Sequence, residues 1–291
     1  MNIELDYINL IKKVLDEGTY ESTRNGTTIS IFGTMMKFSL ENNTIPFITT
    51  KKLAWKTCLK ELLWFINGST NNDELTSKKV NIWTDNANEY KHRMNKNGID
   101  IHDGDLGPIY GHQWRHFNAE YKDCHSDYSN KGVDQLKEII DTLKDPIKRT
   151  SRRIIMSAWN PCQIPDMALP PCHILCQFHV SKGNRLHCCL YQRSGDIGLG
   201  VPFNIASYSF LTHIIANICG LEAYEFTHFI GNAHIYEEHI EALKQQIQNV
   251  MYEFPNINIK RKLNDIDDIM FDDIEITNYK HHSTVKMDMK V

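Results

Sequence analysis

Apolar positions recur along this chain with two periods, and the switches between them divide it into elements. Leu5, Ile8, Ile11 and Leu15 share a helical face over residues 3–17, and Gly18 ends the run. Residues 28–40 alternate as a strand, but the apolar phase changes at Gly33, which predicts a bulge there. Residues 53–67 predict a strongly apolar helix stopped by Gly68. Residues 70–132 are polar, aromatic and loop-rich, with room for several short elements. Between 134 and 144, Leu136, Ile139, Ile140 and Leu143 stand at helical spacing, and Pro146 closes the helix. Residues 153–158 read as a strand.

Residues 173–180 and 185–192 predict a hairpin around Ser181-Lys182-Gly183-Asn184. In its first strand Ile174, Cys176, Phe178 and Val180 face one way, and His173, Leu175, Gln177 and His179 the other. The second strand is expected to end at Arg193. Pro202 suits the start of a helix, where its missing N–H is not needed; that helix runs to Cys219 and Gly220 caps it. A strand at 223–231, a helix at 235–249 and a polar, alternating tail from 256 follow. No repeat, linker or low-complexity tract interrupts the series, so one mixed α+β domain over residues 1–291 is the expectation.

Composition narrows the function classes. A chain of 291 residues can bury roughly three quarters of its unfolded surface. The net charge of −4 argues against a general nucleic-acid binder, so any basic site is local. No apolar run reaches the length of a membrane span. The opening MNIELDYINLIKK has early acids and lacks a small-residue cleavage site, so no secretory signal is expected. A cytoplasmic protein follows as the expectation, with the nucleus open and the eight cysteines reduced. Cys172, His173, Cys176, Cys188 and Cys189 cluster, but no CxxC pair occurs, and on a strand His173 points away from Cys172 and Cys176; no metal is expected.

The densest chemistry lies in LPPCH, residues 169–173, and QRSGDIGLGVPFN, residues 192–204. Pro170 and Pro171 fix the backbone before Cys172 and remove two donors. A thiol held rigidly beside the guanidinium of Arg193 is the arrangement of an activated nucleophile, because positive charge favours thiolate. KELLWFINGSTN (60–71) adds Glu61 inside an apolar helix, GDLGPIYGHQWRHF (104–117) adds Tyr110, SRRIIMSAWNP (151–161) adds two adjacent arginines, and GNAHIYEEH (231–239) adds His234 and Tyr236.

Together these six segments resemble the thymidylate synthase family, in the expected order, from about residue 20 to the terminal KMDMKV. The resemblance implies an α+β fold: a large mixed β-sheet covered by helices on one face, the other face packing against a second subunit. It implies reductive methylation of dUMP to dTMP, with 5,10-methylenetetrahydrofolate as co-substrate and no metal. Cys172 is then the nucleophile that adds to carbon 6 of the pyrimidine, and Arg193 its activator and a phosphate ligand. Glu61 organises water and proton movement, Tyr110 lies near the thiol, and Asn204 reads the uracil edge. Arg24, Arg193 and Ser194 bind phosphate, joined by Arg152 and Arg153 from the partner subunit of a homodimer with shared active sites. His234 and Tyr236 bind the sugar 3′-hydroxyl. Asp196, Trp83, Phe203, Lys51 and the terminal Val291 serve the folate, while Gln192, Gly200 and Tyr208 also stand at family positions.

Asn204 carries the substrate choice in this reading. A carboxamide both accepts from the ring N–H and donates to the adjacent carbonyl, which matches uracil and mismatches cytosine. The related deoxycytidylate hydroxymethylases place aspartate there. Four departures from the family pattern stand out: Asn232 where aspartate is usual, a loop after Arg24 one residue shorter, Lys37 in KFSL, and Lys290 beside the terminal valine. No fused dihydrofolate reductase segment is expected over these residues. Two other readings remain: a pyrimidine nucleotide hydroxymethylase, and an inactive relative that binds RNA or protein.

Overall fold

A computed structural model describes residues 4–289. Helix α1 (Leu5–Glu17) buries Tyr7, Ile8, Leu10, Ile11 and Val14, whereas Leu5 at the start of the predicted stripe is exposed. Gly18 ends it for want of space: a Cβ there would lie 2.4 Å from the Val14 carbonyl and 2.6 Å from Ile29 Cγ1. Strands β1 (Thr19–Thr23) and β2 (Gly26–Ser39) form a hairpin whose turn is only Arg24 and Asn25, so the shortened loop becomes a tight turn.

Helix α2 (Trp55–Ile66) is followed by Gly68 at φ +73°. The loop-rich stretch holds α3 (Asn72–Thr76), α4 (Thr84–Lys96) and α5 (Tyr110–His116). Asp134 caps α6 (Gln135–Lys144) by accepting from Lys137 N. Then come β3 (Ile155–Ser157), β4 (His173–Ser181), β5 (Arg185–Asp196), α7 (Gly200–Cys219), β6 (Glu222–Tyr236), α8 (Ile240–Gln246), β7 (Asn256–Ile259) and β8 (Ile274–Thr277).

The main sheet has six strands in the order β1-β2-β6-β5-β4-β3. Only β5 and β6 are parallel, and α7 is their crossover. Helix α7 is buried on nearly every side, which suits its uncharged and predominantly apolar sequence, and Gly220 ends it at φ +66° in the left-handed conformation. The fold is therefore α+β with a mixed sheet flanked by helices, around one continuous buried cluster. The outer sheet face is also apolar: Met35, Phe229 and Tyr191 stand side by side in register and exposed, with Phe32 and Ile155 nearby.

Three expectations are corrected. Pairing from Thr28↔Tyr236 to Ser39↔Glu225 keeps one register, so no residue bulges at Gly33. Gly33 takes φ +80°, and across it the buried side passes from Ile29 to Met36 and Phe38. The helix expected at 235–249 starts only at Ile240, because Ile235 and Tyr236 pair with Ile29 and Thr28 of β2. Strand β5 continues to Asp196, beyond Arg193, because β6 offers it parallel partners as far as His234. Among the described residues, no helix is long and apolar enough to cross a membrane, and no group of three or more His, Cys, Asp or Glu is placed to hold a metal.

Candidate active site

Cys172 lies just before β4, half-buried. Proline carbonyls before it lack neighbouring donors, and the Arg193 guanidinium fills that gap. Its Nε donates to the Pro171 carbonyl at 2.8 Å and its Nη2 to the Pro170 carbonyl at 2.9 Å. The same Nη2 lies 3.7 Å from Cys172 Sγ, and Arg193 N donates to the Cys172 carbonyl at 2.8 Å. Cys172 N donates to Tyr110 Oη at 2.7 Å. Burial pushes the thiol above its ordinary value, and Arg193 pulls only part of the way back. The resting group is thus a thiol, because two of the guanidinium's donors are held by proline carbonyls and burial outweighs the charge that remains.

The surroundings are held neutral in the same way. The Tyr110 ring stacks on His173 at 4.0 Å and 12°, and His173 Nδ1 meets Tyr208 Oη at 2.9 Å. Burial lowers His173 to about 3 and raises the Tyr110 phenol. Both act as hydrogen-bonding groups rather than charged ones. Glu61 on α2 accepts from Trp83 Nε1 at 2.7 Å, and Trp83 is itself only 6% exposed. Burial raises the Glu61 carboxyl to about 7, with the indole bond pulling the other way. Such a group takes up and releases a proton near neutral pH.

The second half of the site is a cavity of about 290 Å³ lined by Glu21, Arg24, Ser194, Asn232, His234 and Tyr236, among others. Arg24 reaches it from the β1–β2 turn, where its Nε donates to Asn25 Oδ1 at 2.9 Å. Ser194 comes from β5, and Asn232, His234 and Tyr236 alternate on one face of β6. Gln192 holds the Ser194 carbonyl at 2.8 Å and is itself met by His228 Nε2 at 2.8 Å.

A third group gathers where β5 ends. Asp196 Oδ1 accepts from Gly198 N at 2.8 Å and lies 3.9 Å from His239 Nδ1. Lys51 is buried rather than solvated: its ammonium donates to the Gly198 carbonyl, and burial lowers it to about 8 despite Asp196 and Glu4. Lys52 beside it is exposed. The buried Glu4 carboxylate accepts from both backbone and side chain of Thr49 and Thr50, which fixes the approach to Lys51. The chain end packs over this group: His282 N donates to the Thr49 carbonyl at 2.9 Å, and His239 Nε2 lies 2.9 Å from the Asp288 carbonyl. A Cβ on Gly198 would meet Met287 Sδ at 3.0 Å.

Asn204 and Phe203 stand half-buried in the first turn of α7, where the Phe203 carbonyl accepts from Cys58 Sγ at 3.4 Å. Arg152 and Arg153 do not join the cavity; both are exposed just before the edge strand β3. Val291 and Lys290 lie outside the described residues. Glu21, Ser30 and His239 are additions that the motifs did not flag. They arrive through strand register and chain-end packing, for which no local signal exists.

Comparison with known proteins adds a family. A family model described as thymidylate synthase matches residues 5–291. The human thymidylate synthase is 52% identical over 290 residues, covering 99% of this chain and 91% of that protein. The thymidylate synthase of varicella-zoster virus (strain Dumas) is 48% identical over 288 residues, covering 98% and 94%. A bifunctional dihydrofolate reductase-thymidylate synthase of Zea mays is 49% identical over 292 residues, covering 99% of this chain and 54% of that protein; the chain spans about half the length of this fused relative.

Proposed function

We propose that this chain, which belongs to the thymidylate synthase family, converts dUMP to dTMP as a methyltransferase, by thiol addition to the pyrimidine ring. The observation that carries the proposal is Cys172 Sγ lying 3.7 Å from the Arg193 guanidinium, on a backbone held by Tyr110.

Sγ forms a bond to carbon 6 of the uracil, and the displaced electron pair moves to carbon 5 and the neighbouring carbonyl oxygen. The Arg193 guanidinium beside the sulfur and a polarised ring favour loss of the thiol proton once substrate is bound. Asn204 holds the ring N–H and carbonyl, so that the developing enolate meets a donor. Glu61, near its midpoint at neutral pH, relays protons through water to and from that oxygen. The co-substrate 5,10-methylenetetrahydrofolate supplies the one-carbon unit and the hydride, and departs as dihydrofolate. Carbon 5 bonds to that one-carbon unit, its proton passes to water, the folate amine leaves the methylene, and hydride delivered to the methylene re-forms the ring double bond and expels Sγ from carbon 6 as thiolate. The carboxylate of Asp196, with Trp83 and Phe203 as aromatic walls, fits a ring system bearing amide-like N–H groups.

Arg24, Ser194 and Arg193 bind the phosphate, and His234 and Tyr236 the sugar. The exposed apolar face with Met35, Tyr191 and Phe229 supports a homodimer, and the exposed Arg152 and Arg153 then serve the partner's phosphate site. Residues 1–291 form one domain in this reading, and the protein works in the cytoplasm.

The test is incubation with dUMP and methylenetetrahydrofolate, following dihydrofolate by absorbance and the nucleotide by mass. The expected product is dTMP. A hydroxymethylated nucleotide, or turnover of dCMP in preference to dUMP, overturns the proposal.

A further inference from the structure

Four side chains on three neighbouring strands form a hydrogen-bond chain behind the phosphate-end cavity. His234 Nδ1 lies 3.0 Å from Asn232 Oδ1. Asn232 Nδ2 donates to Ser30 Oγ at 3.4 Å, and Ser30 Oγ donates to Glu21 Oε2 at 3.4 Å. Sheet register builds this line: Ser30 stands opposite His234, while Glu21 stands opposite Thr28, diagonal to Ser30.

The last member fixes the direction of every hydrogen. An ionised carboxylate only accepts, so the single hydroxyl hydrogen of Ser30 points at Glu21. A lone pair of Ser30 then faces Asn232, which selects the amide nitrogen for that side and turns the amide oxygen to His234. In the flipped amide, Asn232 Oδ1 would face an oxygen that has no hydrogen left to give. Facing an amide oxygen at 3.0 Å, Nδ1 carries the imidazole hydrogen, with Ser194 Oγ at 3.5 Å as a second, longer acceptor, and Nε2 keeps its lone pair.

We infer that Glu21, Ser30 and Asn232 are positioning residues that hold a neutral His234 in the Nδ1–H tautomer, so that Nε2 accepts a hydrogen bond from the nucleotide's 3′-hydroxyl. The inference rests on the reading of His234 as a sugar ligand. The neutral form agrees with burial, which lowers His234 below its ordinary value while Asp196 from β5 pulls the other way. Glu21 on β1 and Arg24 in the turn are the other charged groups lining the cavity, and they are of opposite sign. Asn232 accepts from the ring without bringing a charge, so it selects a tautomer and favours the imidazolium less than a carboxylate in its place would.

The experiment uses ¹⁵N-labelled, ligand-free protein and the long-range ¹H–¹⁵N spectrum of its histidines at pH 7.5, with His234 assigned by its loss in His234→Gln. The expected result is the Nδ1–H tautomer in the natural protein, and a mixture in Glu21→Met and Ser30→Ala, where the chain of acceptors is broken. Binding gives a second readout. In both variants the affinity for dUMP falls about 5- to 10-fold, the size of one misdirected hydrogen bond, while that for the 3′-deoxy analogue stays within about twofold. The unchanged analogue also certifies the fold of the variants. An Nε2–H tautomer in the natural protein overturns the inference, as does equal weakening of both nucleotides. The tautomer is read without turnover, so a protein inactive on dUMP sinks the proposed reaction and leaves this measurement to stand by itself.

Discussion

Around Cys172 the partners belong to the protein's own core: Tyr110 is 2% exposed and Trp83 6%, and His173 and Glu61 are pushed by burial toward their uncharged forms. At the cavity lined by Arg24 and His234, by contrast, Arg24 stands exposed on a two-residue turn, while Arg152 and Arg153 stand apart from it, exposed before an edge strand. At the first end desolvation sets the proton states, and the chemistry depends on substrate arriving to change them. At the second, strand register sets the geometry. Substitutions at the thiol end should therefore act on the chemical step, and those at the phosphate end on binding.

The sharpest way to break this contrast is Cys172→Ala. Turnover should fall by at least about 10⁴-fold while dUMP still binds, since the nucleophile is lost and the phosphate end is untouched. Substantial residual turnover, measured as dihydrofolate formed, would falsify the assignment of the thiol.

Glu61→Gln comes next, with a loss of about 10²- to 10³-fold in kcat and disappearance of any limb of the pH–rate profile near 7. The same substitution should stabilise the protein. The folded carboxyl titrates at about 7 against an ordinary 4.5, so the folded state binds more protons between those values, and stability declines as pH rises through them. Removing that group should return about 1–3 kcal/mol at pH 8 and nothing at pH 4, read by thermal or urea unfolding. A profile that keeps its inflection near 7 would place the proton relay elsewhere.

The smallest effect sharpens the other half of the contrast. Arg152→Ala and Cys172→Ala subunits, each impaired alone, should recover roughly a quarter of full activity when mixed and reassembled in equal amounts. Half of the pairs are then mixed, and each mixed pair has one complete site. No recovery would mean that the exposed arginines serve their own subunit or none.

Legibility followed the range of the forces involved. The helices over α2, α6 and α7 were readable because Gly68, Pro146 and Gly220 stop them locally. Ile235 and Tyr236 misled because their pairing with β2 lies about two hundred residues away in sequence, beyond any local pattern. The phase change at Gly33 was visible, but its cause was a left-handed glycine in an unbroken register rather than an inserted residue. Arg193 was singled out beside Cys172, and its guanidinium lies 3.7 Å from that sulfur. The balance between its charge and the burial of the sulfur could not be read, because burial is a property of the packed chain.

The amino-acid sequence by itself determined which reactive groups exist and in what order: a proline-flanked thiol, an arginine twenty-one residues on, an asparagine at the head of a helix, and a carboxylate inside an apolar one. Those are covalent facts, carried by residue type and spacing. Tertiary structure decided their proton states and the supporting contacts, from the raised Glu61 to the line joining Glu21, Ser30, Asn232 and His234. Desolvation and cross-strand register arise only when distant segments exclude water together, and no stretch of the chain holds that information alone.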